Sequence, residues 1–193
     1  VTDVRLDPVH IDVGQVLGRT MTSLYSHLVT RATGRAVRVA IEARLRAAGP
    51  RSLSLIDLSE VVILDFSCAD EVVARLVEDS VRSSSYEAFF VFLGVHEPHR
   101  DQVETVLERR GLAAVVETHP GTYRLAGRRS EREEVVWTEL ERCGLVGPEE
   151  LARLAPDPEH ADALASLLQR RLAFRSPASG RVHALSQLAG KFG

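Results

Sequence analysis

The 193-residue chain is 45% apolar and 26% charged, with a formal net charge of −3. That is the profile of an ordinary globular protein, long enough to bury roughly 70% of its unfolded surface. A slightly negative balance argues against nucleic acid as the partner of the whole molecule, although a local basic patch stays open. Cys68 and Cys143 lack metal-ligand or redox spacing, and no run approaches the ~18 apolar residues of a membrane span. The expectation is a cytoplasmic protein without a disulfide framework, a leader or a membrane segment. Lys191 is the only lysine among many arginines, a bias expected of a GC-rich bacterial genome.

In chain order, Val9–Val16 reads as a strand. Arg31–Ala48 carries helical spacing, with Ala36, Val37, Ala40, Ile41, Leu45 and Ala48 on one stripe, and Gly49-Pro50 stops it. Leu53–Leu58 and Val61–Leu64 are dense in aliphatic residues and predict strand over 53–64. A helix from Ser67 to about residue 82 turns Val72, Val73, Leu76 and Val77 inward before the serine run at 83–85. Phe89-Phe90-Val91-Phe92-Leu93 is continuously apolar, as a strand covered on both faces must be. Pro98 opens a helix with Val103, Val106 and Leu107 inward and Gly111 as its stop. A last strand lies within 113–125, around Ala114–Val116. This alternation predicts an α/β fold with parallel strand pairs and helices packed against the sheet. The expected core includes Ile56, Leu58, Ile63, Val72, Leu76, Val91, Leu93, Val103 and Leu107.

The most informative stretch is Leu55–Val72. It contains Asp57-Leu58-Ser59-x-Val61, then Asp65-x-Ser67 where a helix begins. This order resembles the core of the STAS domain (sulphate transporter and anti-sigma factor antagonist). The likeness extends over about residues 10–125 and includes Gly111-Leu112 at the close of a helix. The resemblance implies a STAS-like mixed sheet and a non-catalytic regulator that acts by protein–protein contact. Its partner would be an anti-sigma or kinase-like ATPase, and Ser67 would be a phospho-acceptor. Phe66 stands where that family usually has serine, and Cys68-Ala69-Asp70 where it has Gly-Leu-Gly. The chain is thus nearer to an uncharacterised STAS-like branch.

Three readings of Ser67 stand side by side. A phosphate there would add about −1.5 to −2 charges beside helix amides that favour an anion, enough to expel a docked partner. Alternatively, Ser67-Cys68-Ala69-Asp70 is a capping box, with Ser67 only closing the helix end. A third reading is contact without modification; the partner-binding set expected is Asp65, Phe66, Ser67, Asp70 and Glu71, although the last two carboxylates would repel a phosphate. Asp57 is expected to shape a turn. Arg31, Arg35, Arg38 and Glu42 share a helical face, either solvated or open to an acidic partner. Cys68 at a helix start could be activated, but the neighbouring acids oppose this. His96-Glu97-Pro98-His99 lacks both the helical geometry and the third ligand of a metal site. No phosphate loop or nucleophile motif is present. No metal, cofactor or catalysis is expected.

A charged linker at 126–131 divides the chain into segments 1–127 and 128–193. Beyond it, helical segments Glu133–Cys143, Pro148–Leu154 and Pro158–Leu172 precede a Gly-turned hairpin around Ser176–Gly180. This order resembles a winged helix-turn-helix. The alternative function is therefore a DNA-binding transcription regulator with a STAS-like sensory or dimerisation part. Its contacts would fall to Arg170, Arg171, Arg175 and Arg181, aligned across a homodimer. Residues 128–193 hold ten basic and ten acidic side chains, and the third helix opens with Asp157, Glu159 and Asp162. A neutral module is a poor phosphate neutraliser, so DNA is the less favoured partner.

Overall fold

The computed structural model describes residues 8–13, 15–16, 27–83 and 86–190. Five strands form the main sheet: β1 (Pro8–Asp12), β3 (Arg51–Asp57), β5 (Glu87–Leu93), β6 (Ala113–His119) and β7 (Thr122–Gly127), adjacent in that order. β1, β3, β5 and β6 run parallel, and β7 returns antiparallel to β6. The protein is thus mixed α/β. Of the strand expected over 9–16, only the part to Asp12 is extended, and residue 14 lies outside the described residues. The stretch 113–125 holds a hairpin instead of one strand. Gly121, at φ +75°, makes its turn.

Alternation along the central strands sends two apolar sets to opposite faces. Ile56, Phe90 and Phe92 face three helices: α1 (Arg31–Ala47), α2 and α3 (Glu97–Arg109). α2 is continuous from Phe66 to Arg82, with a π-helical insert at Asp70–Arg75. Ser84 and Ser85 of the serine run that follows lie outside the described residues.

The other face presents Leu53, Leu55, Phe89 and Val91, and the C-terminal segment covers it with Trp137, Leu140, Leu167, Phe174 and Leu185. Phe89 and Phe174 meet edge to face, ring centroids 5.4 Å apart. One hydrophobic core therefore crosses the linker at residues 127/128.

That segment comprises α4 (Glu131–Cys143), β8 (Leu145–Val146), a 3-10 turn (Pro148–Glu150) continuing as α5 (Leu151–Leu154), α6 (Pro158–Gln169), β9 (Ala173–Arg175), β10 (Val182–Ala184) and α7 (Leu185–Gly190). Its sheet is antiparallel in the order β8-β10-β9. Ser130 and Glu133 close the start of α4 as a reciprocal capping box. α6 ends before the expected Leu172 because Arg171 adopts a left-handed φ of 59°.

Most residues expected in the core are buried, among them Ile56, Leu58, Val72, Leu76, Val91, Val103 and Leu107. Ile63 is not: it is 44% exposed. After β3 the chain leaves the main sheet, and β4 (Ile63–Leu64) pairs in parallel with β2 (His27–Leu28) outside it. Leu93, at the end of β5, is half-buried. The departure after β3 is a side-chain-directed turn, with Asp57 Oδ1 accepting from the Ser59 amide at 2.8 Å. Gly94 lets the end of β5 pass against this turn, because a Cβ there would lie 2.6 Å from the Ser59 nitrogen.

Because, among the described residues, the sheet's second face is closed by the C-terminal segment, both should unfold together. Phe174→Ala should cost about 3–5 kcal/mol. Urea unfolding followed by circular dichroism and by the single tryptophan, Trp137, should give one coincident transition in wild type and variant. Two separated transitions would contradict the shared core.

Candidate functional site

The site grows from the junction of β4 and α2. Asp65 is extended, and its Oδ1 accepts from the Ser67 amide at 2.6 Å and from the Ser67 hydroxyl. Its own backbone amide donates to the Leu28 carbonyl at 2.8 Å, tying the helix start to β2. Asp65 is therefore the helix cap. Ser67 is the second helical residue, half-buried, and supplies a hydroxyl donor instead of the capping oxygen expected of it. The Ser67 hydroxyl bond is the main cause holding the Asp65 carboxyl below its ordinary pKa. Half-buried Phe66 carries the Arg109 guanidinium over its ring, 4.6 Å from the centroid. Cys68 is inert: it is buried, its Sγ donates to the Thr30 carbonyl, and burial pushes its thiol up to about 11.

Behind this start, α1 crosses α2 at van der Waals contact. A Cβ on Gly34 would lie 2.9 Å from Cys68 Cα and 3.2 Å from Glu71 Cβ, so only glycine permits the approach. The crossing delivers Arg31 and Arg38 to the next two residues of α2. Asp70 and Glu71, expected on the docking surface, are instead 8% and 2% exposed. Arg31 Nη1 donates to both, at 2.9 Å each. Arg110, which caps α3, grips Asp70 bidentately at 2.7 and 3.1 Å and reaches Glu78 at 2.7 Å. Arg38 Nε holds Glu71 at 3.2 Å while its Nη1 pairs with Glu42 and lies 3.4 Å from Asp79. Arg75 approaches Glu71 and Asp70 at 3.4 and 3.7 Å. The wide π turn coincides with this cluster, and all five residues Asp70–Ala74 are buried. Burial works against ionising Asp70, but hydrogen bonds from Arg110 and Arg31 outweigh it and hold the carboxyl below its ordinary pKa.

In front, the surface is apolar. Val29, Val62 and Ile63 are 53%, 62% and 44% exposed, three of the five large exposed aliphatics of the described residues. They lie on or beside the β2–β4 pair that leads directly into Asp65. His99 is buried under this approach with Nε2 3.4 Å from the Val62 carbonyl, and burial lowers its pKa. Among the described residues, no group of three or more His, Cys, Asp or Glu is placed to hold a metal ion. Likewise, no helix among them is long and apolar enough to cross a membrane.

The structure thus brings Asp65, Phe66 and Ser67 together at one surface and withdraws Asp70 and Glu71 into the framework behind it. Sequence reasoning put Arg31 and Arg38 on one helical face, either solvated or open to an acidic partner, and did not single out Arg75 or Arg110; it did not pair any of the four with Asp70 and Glu71. The available signal was an acidic pair set within the apolar run Cys68-Ala69…Val72-Val73.

Of the four C-terminal arginines, two are engaged within the protein and two are exposed. Arg170 binds Glu133 at 2.7 Å and the Arg128 carbonyl, and Glu133 also accepts from Ser166. Half-buried Arg171 points to the Ser83 carbonyl at 3.4 Å, and burial lowers its pKa. Arg175 and Arg181 are exposed.

The Asp70 carboxylate gives a pH signature. Its folded pKa lies below its unfolded value, so its contribution is present above that unfolded value and is lost as pH falls towards the folded one. The stability gap between wild type and Asp70→Asn should therefore be constant above about pH 5 and shrink towards pH 3. Urea unfolding across that range measures it, and a gap independent of pH would contradict the ion-pair role.

Comparison with protein-family models, curated proteins and solved structures found no match for this chain.

Proposed function

We propose that this protein is a non-catalytic, STAS-like bacterial regulator of the cytoplasm that docks a protein partner at the start of α2. The observation that carries this reading is the concentration of Val29, Val62 and Ile63 beside Asp65, Phe66 and Ser67. Exposed aliphatics clustered on a framed, rigid surface favour protein contact. Phe66 under Arg109 adds an aromatic and a cation of the kind that anchors interfaces. Asp70 and Glu71 serve the reading indirectly, by fixing the helix whose first turn meets the partner.

The resemblance to STAS proteins points to an anti-sigma or kinase-like ATPase as that partner, with Ser67 as the switch. Phosphorylating Ser67 would remove its hydroxyl donation to Asp65 and place about −1.5 to −2 charges against that carboxylate. The cap and the Asp65–Leu28 link would be disturbed together with the docking surface. Ile63→Asp and Ser67→Glu should each weaken binding roughly tenfold or more, since burying an aliphatic side chain is worth about 1.5–3 kcal/mol. Titration calorimetry against the purified ATPase or anti-sigma-type protein from the same genome measures this, with circular dichroism to verify folding. Equal affinity for wild type and both folded variants would refute the docking role.

A second reading, a winged-helix DNA-binding regulator, is favoured by one observation. Helix, strand, two helices and two strands, with sheet order β8-β10-β9, is the arrangement a winged helix requires. The charges weigh against it, since Arg170 and Arg171 are engaged internally and α6 begins beside Asp157, Glu159 and Asp162. A mobility assay with the full chain should show weak, non-specific binding at most. A tight, salt-sensitive, sequence-specific complex lost in the Arg175→Ala/Arg181→Ala double variant would establish this second reading instead.

A further inference from the structure

A groove of about 550 Å³ runs between α5 and α6, lined by Leu151, Ala152, Ala161, Ala165 and Leu168, with Arg175 at its edge. Ala152, Ala161 and Ala165 are exposed, and Leu151 and Leu168 are half-buried. Small exposed side chains leave the α6 backbone open to close approach by another helix. At 100° per residue, Ala161 and Ala165 form the crest of α6, and Leu164 and Leu168 face the groove. Asp162 then falls on the flank away from the groove, across the crest from Arg175.

Both charges are exposed, and neither side chain has a partner within the described residues. The arginines of the α2 cluster, by contrast, are all matched to carboxylates. The surface therefore has small apolar side chains at Ala161 and Ala165, with Asp162 on one flank and Arg175 on the other. A two-fold axis lying in the plane of such a face, along the crest, brings each flank opposite its counterpart of opposite sign. The patch is complementary to itself, as an isologous interface requires.

We propose that the α5–α6 groove is a homodimer interface. A second copy seats its α6 crest against this one, and Asp162 of each copy pairs with Arg175 of the other. Duplex DNA fits this face poorly, because the unpaired Asp162 would approach its phosphates. The interface lies on elements separate from the α2 docking surface, so the inference stands or falls independently of that reading.

Sedimentation velocity on the full chain over a concentration series tests it. Wild type should show a concentration-dependent monomer–dimer equilibrium. Ala165→Arg should abolish the dimer while circular dichroism shows an unchanged fold. Arg175→Asp should weaken dimerisation roughly tenfold or more. The double variant Asp162→Arg/Arg175→Asp should restore it to within a few fold of wild type, because exchanging the flanks keeps them complementary. A wild type monomeric at every soluble concentration would overturn the proposal. So would a dimer indifferent to Ala165→Arg, a charge exchange without rescue, or a groove that takes duplex DNA in place of a second copy.

Discussion

Two adjacent carboxylates buried in one helix set the terms for this half of the molecule. A carboxylate buried away from water is costly unless cations reach it, and no residue preceding Asp70 and Glu71 in α2 supplies one. Arg75 approaches from the next turn of α2, and the other cations come from elsewhere: Arg31 and Arg38 from α1, and Arg110 from the end of α3. Such clusters add little net stability over an apolar core, because desolvation offsets the Coulomb attraction. Their removal from one side is costly, however, since the remaining charges are then stranded. The arrangement favours one unique packing of three helices over alternatives that leave any carboxylate unmatched.

The position of the cluster ties it to the proposed docking surface. Gly34 brings α1 onto α2 at Cys68, so the arginines bracket the helix one turn behind Asp65 and Ser67. The first turn is held from behind by ion pairs and from the side by the Asp65–Leu28 backbone bond. The front, where the proposed partner would dock, holds Phe66, Ser67 and the exposed aliphatics on or beside the β2–β4 pair. A rigid frame behind an apolar, hydroxyl-bearing front limits the ordering cost of binding. On the proposed docking role, a single charge change at Ser67 then acts on the whole surface.

Much of the fold was legible in the sequence, because periodicity reports local geometry. The run Phe89–Leu93 announced a strand buried on both faces, and the helices bracketing it fell where their stripes placed them. What covers the second face was not legible, since Trp137 and Phe174 have spacings that suit a small module packing on itself. Ile63 was misplaced because its strand partner, His27–Leu28, is too short to leave a pattern. Asp65 and Ser67 are both good capping residues two positions apart, and only geometry distinguishes the acceptor from the donor. Asp70 and Glu71 read locally as an exposed acidic helix start, because three of their arginine partners lie roughly 30–40 positions away in the chain. Long-range charge pairing has no local signature.

The most direct test of the central claim, that the buried carboxylates hold the start of α2 in place, is amide hydrogen exchange on full-length Glu71→Gln beside wild type. Neutralising Glu71 should release protection across residues 66–75, while the amides of β5 and β6 keep theirs. Unchanged protection over 66–75, or an equal loss throughout the sheet, would contradict it.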